Sequence, residues 1–386
     1  MTDRDYTPSS THPPLPPPSE DEQFARLRLL RSRRVGVATY NRLMAEHGTA
    51  QNALAALPQV ARAAGVSSYE ACPEGVIRAE LQAARAAGAR LVERGDALYP
   101  ALLAEREDAP PFMWVVGDTD ILTRPMISLV GARNASSLGL RMARTLAQDL
   151  SKAGYVVVSG LARGIDAAAH AAALPHGTLA VQAGGVDILY PAENAALARD
   201  IGQNGLRVSE QPMGLNPIAR HFPARNRIIA GLSQATLVVE AAAKSGSLIT
   251  ARDAVDQGRD VLAVPGHPFD ARASGCNMLI RDGATLIRNA SDVIDMLTPV
   301  DGNAPKLPLP PTPQTRSAPK KRGSALREAA KLHKTILSRL GPSPIAEDQL
   351  IRDLRAAPAS VTPVLIDLEL DGQITRSAGG LLSRSV

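Results

Sequence analysis

Ser159-Gly160-Leu161-Ala162-Arg163-Gly164-Ile165-Asp166 follows directly on the apolar run Tyr155-Val156-Val157-Val158. A short β-branched run closed by glycine reads as a buried strand ending in a turn. A second stretch, Phe222-Pro223-Ala224-Arg225-Asn226-Arg227-Ile228-Ile229-Ala230-Gly231, flanks the apolar run Ala235-Thr236-Leu237-Val238-Val239. Both stretches set arginines at an expected helix start. N–H groups there point outward unpaired and carry partial positive charge, so anions settle on them. Arginine adds a planar fork of donors that matches phosphate oxygens in pairs. The two stretches together predict a phosphate-lined groove on an α/β sheet.

Working outward, further apolar runs repeat the pattern. Met126–Val130, Thr178–Val181, Leu206–Val208 and Asp260–Val264 each end at a glycine, serine or proline turn, and helical stretches separate them. Near-continuous apolar strands alternating with helices predict a doubly wound parallel sheet, Rossmann-like, with both faces covered. Ligands of such sheets bind outside the carboxyl ends of the strands. This core is expected over residues 88–299.

The flanks differ in composition. Residues 1–20 are rich in proline and serine and read as a disordered tail. Residues 21–87 read as a small helical module. Arg33-Arg34-Val35-Gly36-Val37 is a tight connection within it, either a helix-hairpin-helix turn or an ordinary packed corner. Residues 300–320 form a proline-rich linker. Residues 321–386 show three amphipathic helices and then a hairpin around Gly379-Gly380, the pattern of a winged-helix domain. Its opening carries Lys320, Lys321, Arg322, Arg327, Lys331, Lys334 and Arg339. That run is either a nucleic-acid contact or a solvated helix face.

Composition narrows the function. The net charge of +5 over 386 residues favours polyanionic partners, and aromatics at 3% leave few base-stacking platforms. The two cysteines, Cys72 and Cys276, are far apart and support neither a disulfide framework nor a zinc ribbon. No cofactor or metal is expected. The absence of a signal-like or membrane-spanning apolar run predicts a cytoplasmic protein with no membrane partner. A P-loop and a dinucleotide fingerprint are both missing, so ATP hydrolysis and dehydrogenase chemistry are not supported.

The expected phosphate contacts are Arg133, Ser159, Gly160, Ala162, Gly164, Arg225, Asn226, Lys244, Ser245, Gly246 and Ser247. Gly160 and Gly164 free the loop so that its amides converge as an anion nest, with the Ser159 hydroxyl as a further donor. Arg225 and Arg227 are two apart, so one reaches the groove while the other braces the scaffold. Lys244 supplies a mobile charge and Ser247 a helix cap. Asp166 and His170 share one helix face. They read as a tie for the loop rather than as an acid–base pair, because a free carboxylate would repel the ligand. Arg227, Glu240 and Thr250 complete the supporting set. Glu240 is the carboxylate to test if the chain is an enzyme.

Val130-Gly131-Ala132-Arg133, Ser159–Asp166 with His170, Tyr190-Pro191, Ser209-Glu210, Phe222–Ile229, Ser245-Gly-Ser-Leu-Ile-Thr-Ala251 and Val264-Pro265-Gly266 stand in a recognisable order. In that order the chain resembles the DNA-processing protein A (Smf) family over roughly residues 95–298. Ala132 stands where many members carry Ser or Thr. The resemblance implies a homodimeric core that binds single-stranded DNA without sequence preference. It also implies protection of incoming DNA in natural transformation and loading of the RecA recombinase. The core is similar, too, to phosphoribohydrolases that release cytokinin bases. Those carry Pro-Gly-Gly-x-Gly-Thr-x-x-Glu, and Ala241–Thr250 here lacks that glutamate. A nucleotide-processing enzyme is therefore the alternative reading.

Overall fold

The computed structural model describes residues 20–297, 332–333, 335–340, 345–354, 356, 358–377 and 381–384. The expected tail, the linker and most of the basic opening lie outside the described residues. The chain divides into two compact units, Met1–Pro299 and Val300–Val386.

The first unit begins with α1 (Glu20–Arg31), α2 (Val37–His47), α3 (Ala50–Ala63) and α4 (Glu74–Ala86). A nine-stranded sheet follows. Its strands are β1 (Arg90–Glu93), β2 (Phe112–Gly117), β3 (Met126–Val130), β4 (Val156–Ser159), β5 (Thr178–Val181), β6 (Leu206–Ser209), β7 (Ala235–Val238), β8 (Asp260–Ala263) and β9 (Thr285–Leu286). The order across the sheet is β1-β2-β6-β5-β4-β3-β7-β8-β9. The short helix α5 (Ala101–Ala104) links β1 and β2. Helices α6 (Ser137–Lys152), α7 (Ile165–Ala173), α8 (Ala195–Asn204), α9 (His221–Leu232), α10 (Ser247–Asp256), α11 (Ser274–Arg281) and α12 (Ala290–Leu297) cover the sheet.

Strand alternation sorts the core into two layers. In β3, Met126 and Val130 join Val156, Val158, Ile228, Ile229 and Ala251 on the face covered by α9 and α10. Ile127 and Leu129 join Leu146, Leu150, Ile165 and Ala169 on the face covered by α6 and α7. Successive side chains of a strand point to opposite faces, so an apolar run with no polar gaps must be covered on both. Each fully buried Leu, Ile or Val contributes roughly 1.5–3 kcal/mol.

One difference from the sequence reading stands out. The sheet is not wholly parallel: β2 runs antiparallel to β6 and to β1. These two strands carry the helical module. Phe112 and Trp114 of β2 are buried with Leu27, Leu29, Leu43 and Ile77 in one cluster. The seam expected at residues 87–88 is thus bridged by a shared core.

The strand order reverses at β3, with β4 to β6 on one side and β7 to β9 on the other. Such a reversal leaves a crevice at the carboxyl ends. Gly131 sits at that point. A Cβ there would lie 2.6 Å from Ile165 Cγ1 and 2.9 Å from the Glu240 carbonyl oxygen, so only glycine lets the chains close up.

The second unit contains helices Glu347–Leu354 and Pro358–Leu370 and a further helical stretch through 335–339. Strands Ile374–Ser377 and Leu381–Arg384 pair antiparallel as the expected hairpin, with Ile345–Ala346 on its outer edge. Ile336, Leu350, Val361, Leu365, Leu368 and Leu382 form the core of this unit. Among the described residues, no helix is long and apolar enough to cross a membrane.

Candidate nucleic-acid interface

A cleft of about 760 Å³ opens at the switch point. Its walls are the turn after β3, the first turns of α9 and the N-terminus of α10. Arg133, Asn226, Lys244 and the Ser245–Ser247 turn all line it, as do Ala162 and Arg225. Arg133 and Lys244 are exposed side chains. Arg272, absent from the expected set, adds a third exposed cation, tethered to Asp270 at 3.2 Å. A second hollow of about 400 Å³ adjoins it and shares Arg133, Ala162, Phe222 and Arg225.

Arg225, expected as a phosphate contact, lines the cleft but commits its donors to the protein. It is only 5% exposed. Its Nη1 donates to the Gly160 carbonyl at 2.7 Å and to the Val181 carbonyl. Its Nε donates to Asn226 Oδ1 at 3.2 Å. Burial pulls its pKa down to about 10, with the Asp166 charge opposing and Arg133 assisting. A buried guanidinium needs carbonyl oxygens and a counter-charge to offset its lost hydration. Gly160 is required by this arrangement, since a Cβ there would lie 2.5 Å from both terminal nitrogens of Arg225.

The loop amides are likewise committed inward. Gly160 and Ala162 donate to Asp166 Oδ2 at 3.1 and 3.3 Å. Asp166 therefore ties the loop, as expected, and two amides of the anticipated anion nest are not free. Burial raises the Asp166 carboxyl, against the pull of Arg225 and the two amides. The Ser159 hydroxyl is no ligand donor either: it is buried and donates to the Leu129 carbonyl at 2.6 Å. His170 lies fully buried beneath, with Nδ1 2.7 Å from Thr178 Oγ1. Burial, then the Arg225 charge, lowers its pKa to about 3, so the imidazole is neutral. Gly164 has φ 81°, and a Cβ there would meet the Ala132 and Arg133 backbone.

Arg227 braces the scaffold. It pairs with half-buried Glu210 and donates to the Asp108 carbonyl at 2.5 Å. Thr250 is buried in the cleft wall. Ser247 is not the cap of α10 but its first residue; Gly246 holds the capping position, and the Ser245 hydroxyl lies 2.7 Å from Ser247 Oγ. Glu240 lies outside this cleft. Its carboxylate accepts from the Ser136 amide at 2.9 Å and from the Ser136 hydroxyl at 2.5 Å, holding the start of α6. It lines a separate cleft of about 420 Å³ between α6 and the end of β8.

The sequence reading missed an aromatic pair. The Arg133 guanidinium stands 5.3 Å from the Phe222 ring centroid. Tyr190, half exposed, lies on the same ring at 5.8 Å and 51°. Their signal was visible, because both belong to the quoted stretches in a chain with only four Phe and six Tyr. A cation over an aromatic face, with a half-exposed tyrosine beside it, suits a partner that offers both phosphate and a flat ring.

Fold and crevice define a doubly wound α/β protein with cations and an aromatic face gathered at its switch point. The chain belongs to the DNA recombination-mediator protein A family, whose model matches residues 90–298. Models described as the DprA-like N-terminal HHH domain and the DprA winged helix domain match residues 20–83 and 318–380. The DNA processing protein DprA of Streptococcus pneumoniae is 45% identical over 201 residues, spanning 52% of this chain and 71% of that one. Its Bacillus subtilis counterpart is 40% identical over 220 residues, 56% of this chain and 74% of the relative. The X-ray structure of the pneumococcal protein aligns with TM-score 0.54 at 40% identity, over 58% of this chain and 77% of that chain. A Helicobacter pylori DprA structure, described for its single-stranded DNA binding mode, aligns with TM-score 0.51 at 32% identity, over 54% and 95%. Membership supports a role in DNA processing and recombination.

Proposed function

We propose that this chain binds single-stranded DNA in the switch-point cleft without sequence preference and without cleaving it. One observation carries the reading: Arg133 stacks on Phe222 beside Tyr190, with Lys244 lining the same cleft. The cations neutralise phosphates, and the half-exposed Tyr190 ring beside Phe222 accepts any base face. A duplex keeps its bases paired and stacked inward, so the rings favour a single strand. The family resemblance extends the reading to a cytoplasmic homodimer that protects DNA and loads RecA. Against the enzymatic alternative, both oxygens of Glu240 are engaged by Ser136 at the start of α6, which favours the binding reading.

Fluorescence anisotropy with single- and double-stranded oligonucleotides across a salt series tests the proposal. Tighter single-strand binding is expected, with log Kd linear in log salt. Charge reversal of both Arg133 and Lys244 should lower affinity on the order of a hundredfold and flatten the salt slope by about 1.4, two phosphates' worth. An unchanged slope in that double variant would place the strand elsewhere.

A further inference from the structure

The winged-helix unit offers a surface of its own. Pro358–Leu370 follows Glu347–Leu354 after three residues and precedes the hairpin. That is the place of the helix that enters the major groove in helix-turn-helix proteins. Paired contacts with guanine and adenine edges take Arg, Lys, Asn or Gln. Pro358-Ala359-Ser360-Val361-Thr362-Pro363-Val364-Leu365-Ile366-Asp367-Leu368-Glu369-Leu370 contains none of them.

Its inner face buries Val361, Val364, Leu365 and Leu368. Its outer face presents Pro363, Asp367 and Ile366, the last 49% exposed. Asp371, one turn beyond Asp367, is exposed as well. Neither of these carboxylates has a partner among the described residues. The hairpin carries two arginines. Arg376 is spent on Glu347 at 2.7 Å and Glu369 at 3.2 Å. Arg384 is exposed opposite Ile374, at the end of the hairpin nearest Asp371. The intervening sequence Ala378-Gly379-Gly380 carries no charge. Duplex DNA bears one negative charge per roughly 1.7 Å of its axis, so this face repels it.

We infer that the outer face of Pro358–Leu370 docks a protein, and that the partner presents a cationic, amphipathic segment. An apolar side chain covers Ile366 and Pro363, and a Lys or Arg side chain stands opposite Asp367. Charge complementarity selects this occupant: the face is apolar at its centre and negative at one end. The inference is independent of strand binding in the core.

The test uses the full chain and a labelled synthetic peptide of about 14 residues with Leu and Lys at amphipathic helical spacing. A peptide with Glu in place of Lys is the control. The natural chain should bind the Lys peptide and not the Glu peptide. The variant joining Ile366→Ser and Asp367→Asn should bind the Lys peptide about tenfold more weakly. The same variant should keep its affinity for a duplex oligonucleotide within about twofold, since this face does not meet DNA. Failure of the natural chain to bind the Lys peptide, or equal binding by both proteins, overturns the inference. So does a loss of duplex affinity in the variant, which would make this face a DNA contact.

Discussion

Two clefts open at the carboxyl ends of the same parallel strands, on opposite sides of the sheet. One, of about 760 Å³, holds Arg133, Lys244 and Arg272 with Phe222 at its edge. The other, of about 420 Å³, holds Glu240, Asp270, Leu138, Met142 and Val264, with Arg141 and His267 as its basic groups. The topology is shared, so position alone does not make an anion site. What differs is how the charge is held. In the first cleft the buried charges, Arg225 and Asp166, are satisfied by backbone carbonyls and amides and offset each other's charge from below, while Arg133 and Lys244 stay exposed above them. In the second, the principal carboxylate is locked to a helix start.

The largest effect that sharpens this contrast is expected from Arg225→Met. It leaves the Asp166 carboxylate buried without its counter-charge, and breaking such a pair costs about 3–5 kcal/mol. Urea denaturation reads the loss, and a cost under about 1 kcal/mol would show that the pair is not the foundation of the cleft. Phe222→Ala comes next, with single-strand affinity weaker by about 1–3 kcal/mol and an unchanged salt slope, because it removes stacking and no charge. Recovery by Phe222→Tyr separates stacking from misfolding.

Acid supplies a smaller test. His170 titrates near 3 in the folded chain, against an ordinary imidazole value of 6.5. The unfolded chain therefore binds a proton that the folded chain refuses anywhere between those values. Stability from this group is full above pH 6.5 and declines as pH falls toward 3. Thermal midpoints measured from pH 7 to pH 4 should fall less steeply in His170→Gln. Parallel curves would mean that another group governs the acid limb. The smallest effect on DNA belongs to Glu240→Gln: about 1 kcal/mol of stability through the Ser136 contacts, and strand affinity unchanged. A large loss of binding there would erase the distinction between the clefts.

Much of this was legible in the sequence. The apolar runs of β3, β4, β5 and β7 announced themselves because both faces are buried and no charged residue interrupts them. Ser128 and Thr236, the polar residues inside β3 and β7, are buried against each other at 2.8 Å. Gly131 and Gly160 marked the crevice because close approach excludes a side chain. The direction of an arginine was not legible. Arg133 and Arg225 are the same residue type at comparable places, and only the surrounding carbonyl groups decide that one is buried. The antiparallel strands β1 and β2 escaped because β2 is a short apolar run beside two prolines. Its partners, β6 and the helical module, lie far away in the chain. Phe222 and Tyr190 were quoted but not paired, since 31 residues separate them along the sequence.

The antiparallel strap has one practical consequence. Trp114 is the single tryptophan of the chain, and its indole donates to Glu80 Oε1 at 2.7 Å, where Arg31 is also bound. It sits on the boundary between the helical module and the sheet. Its emission is therefore an internal optical gauge: a red shift at low denaturant, ahead of the main transition, would register the module lifting away while the parallel strands remain paired.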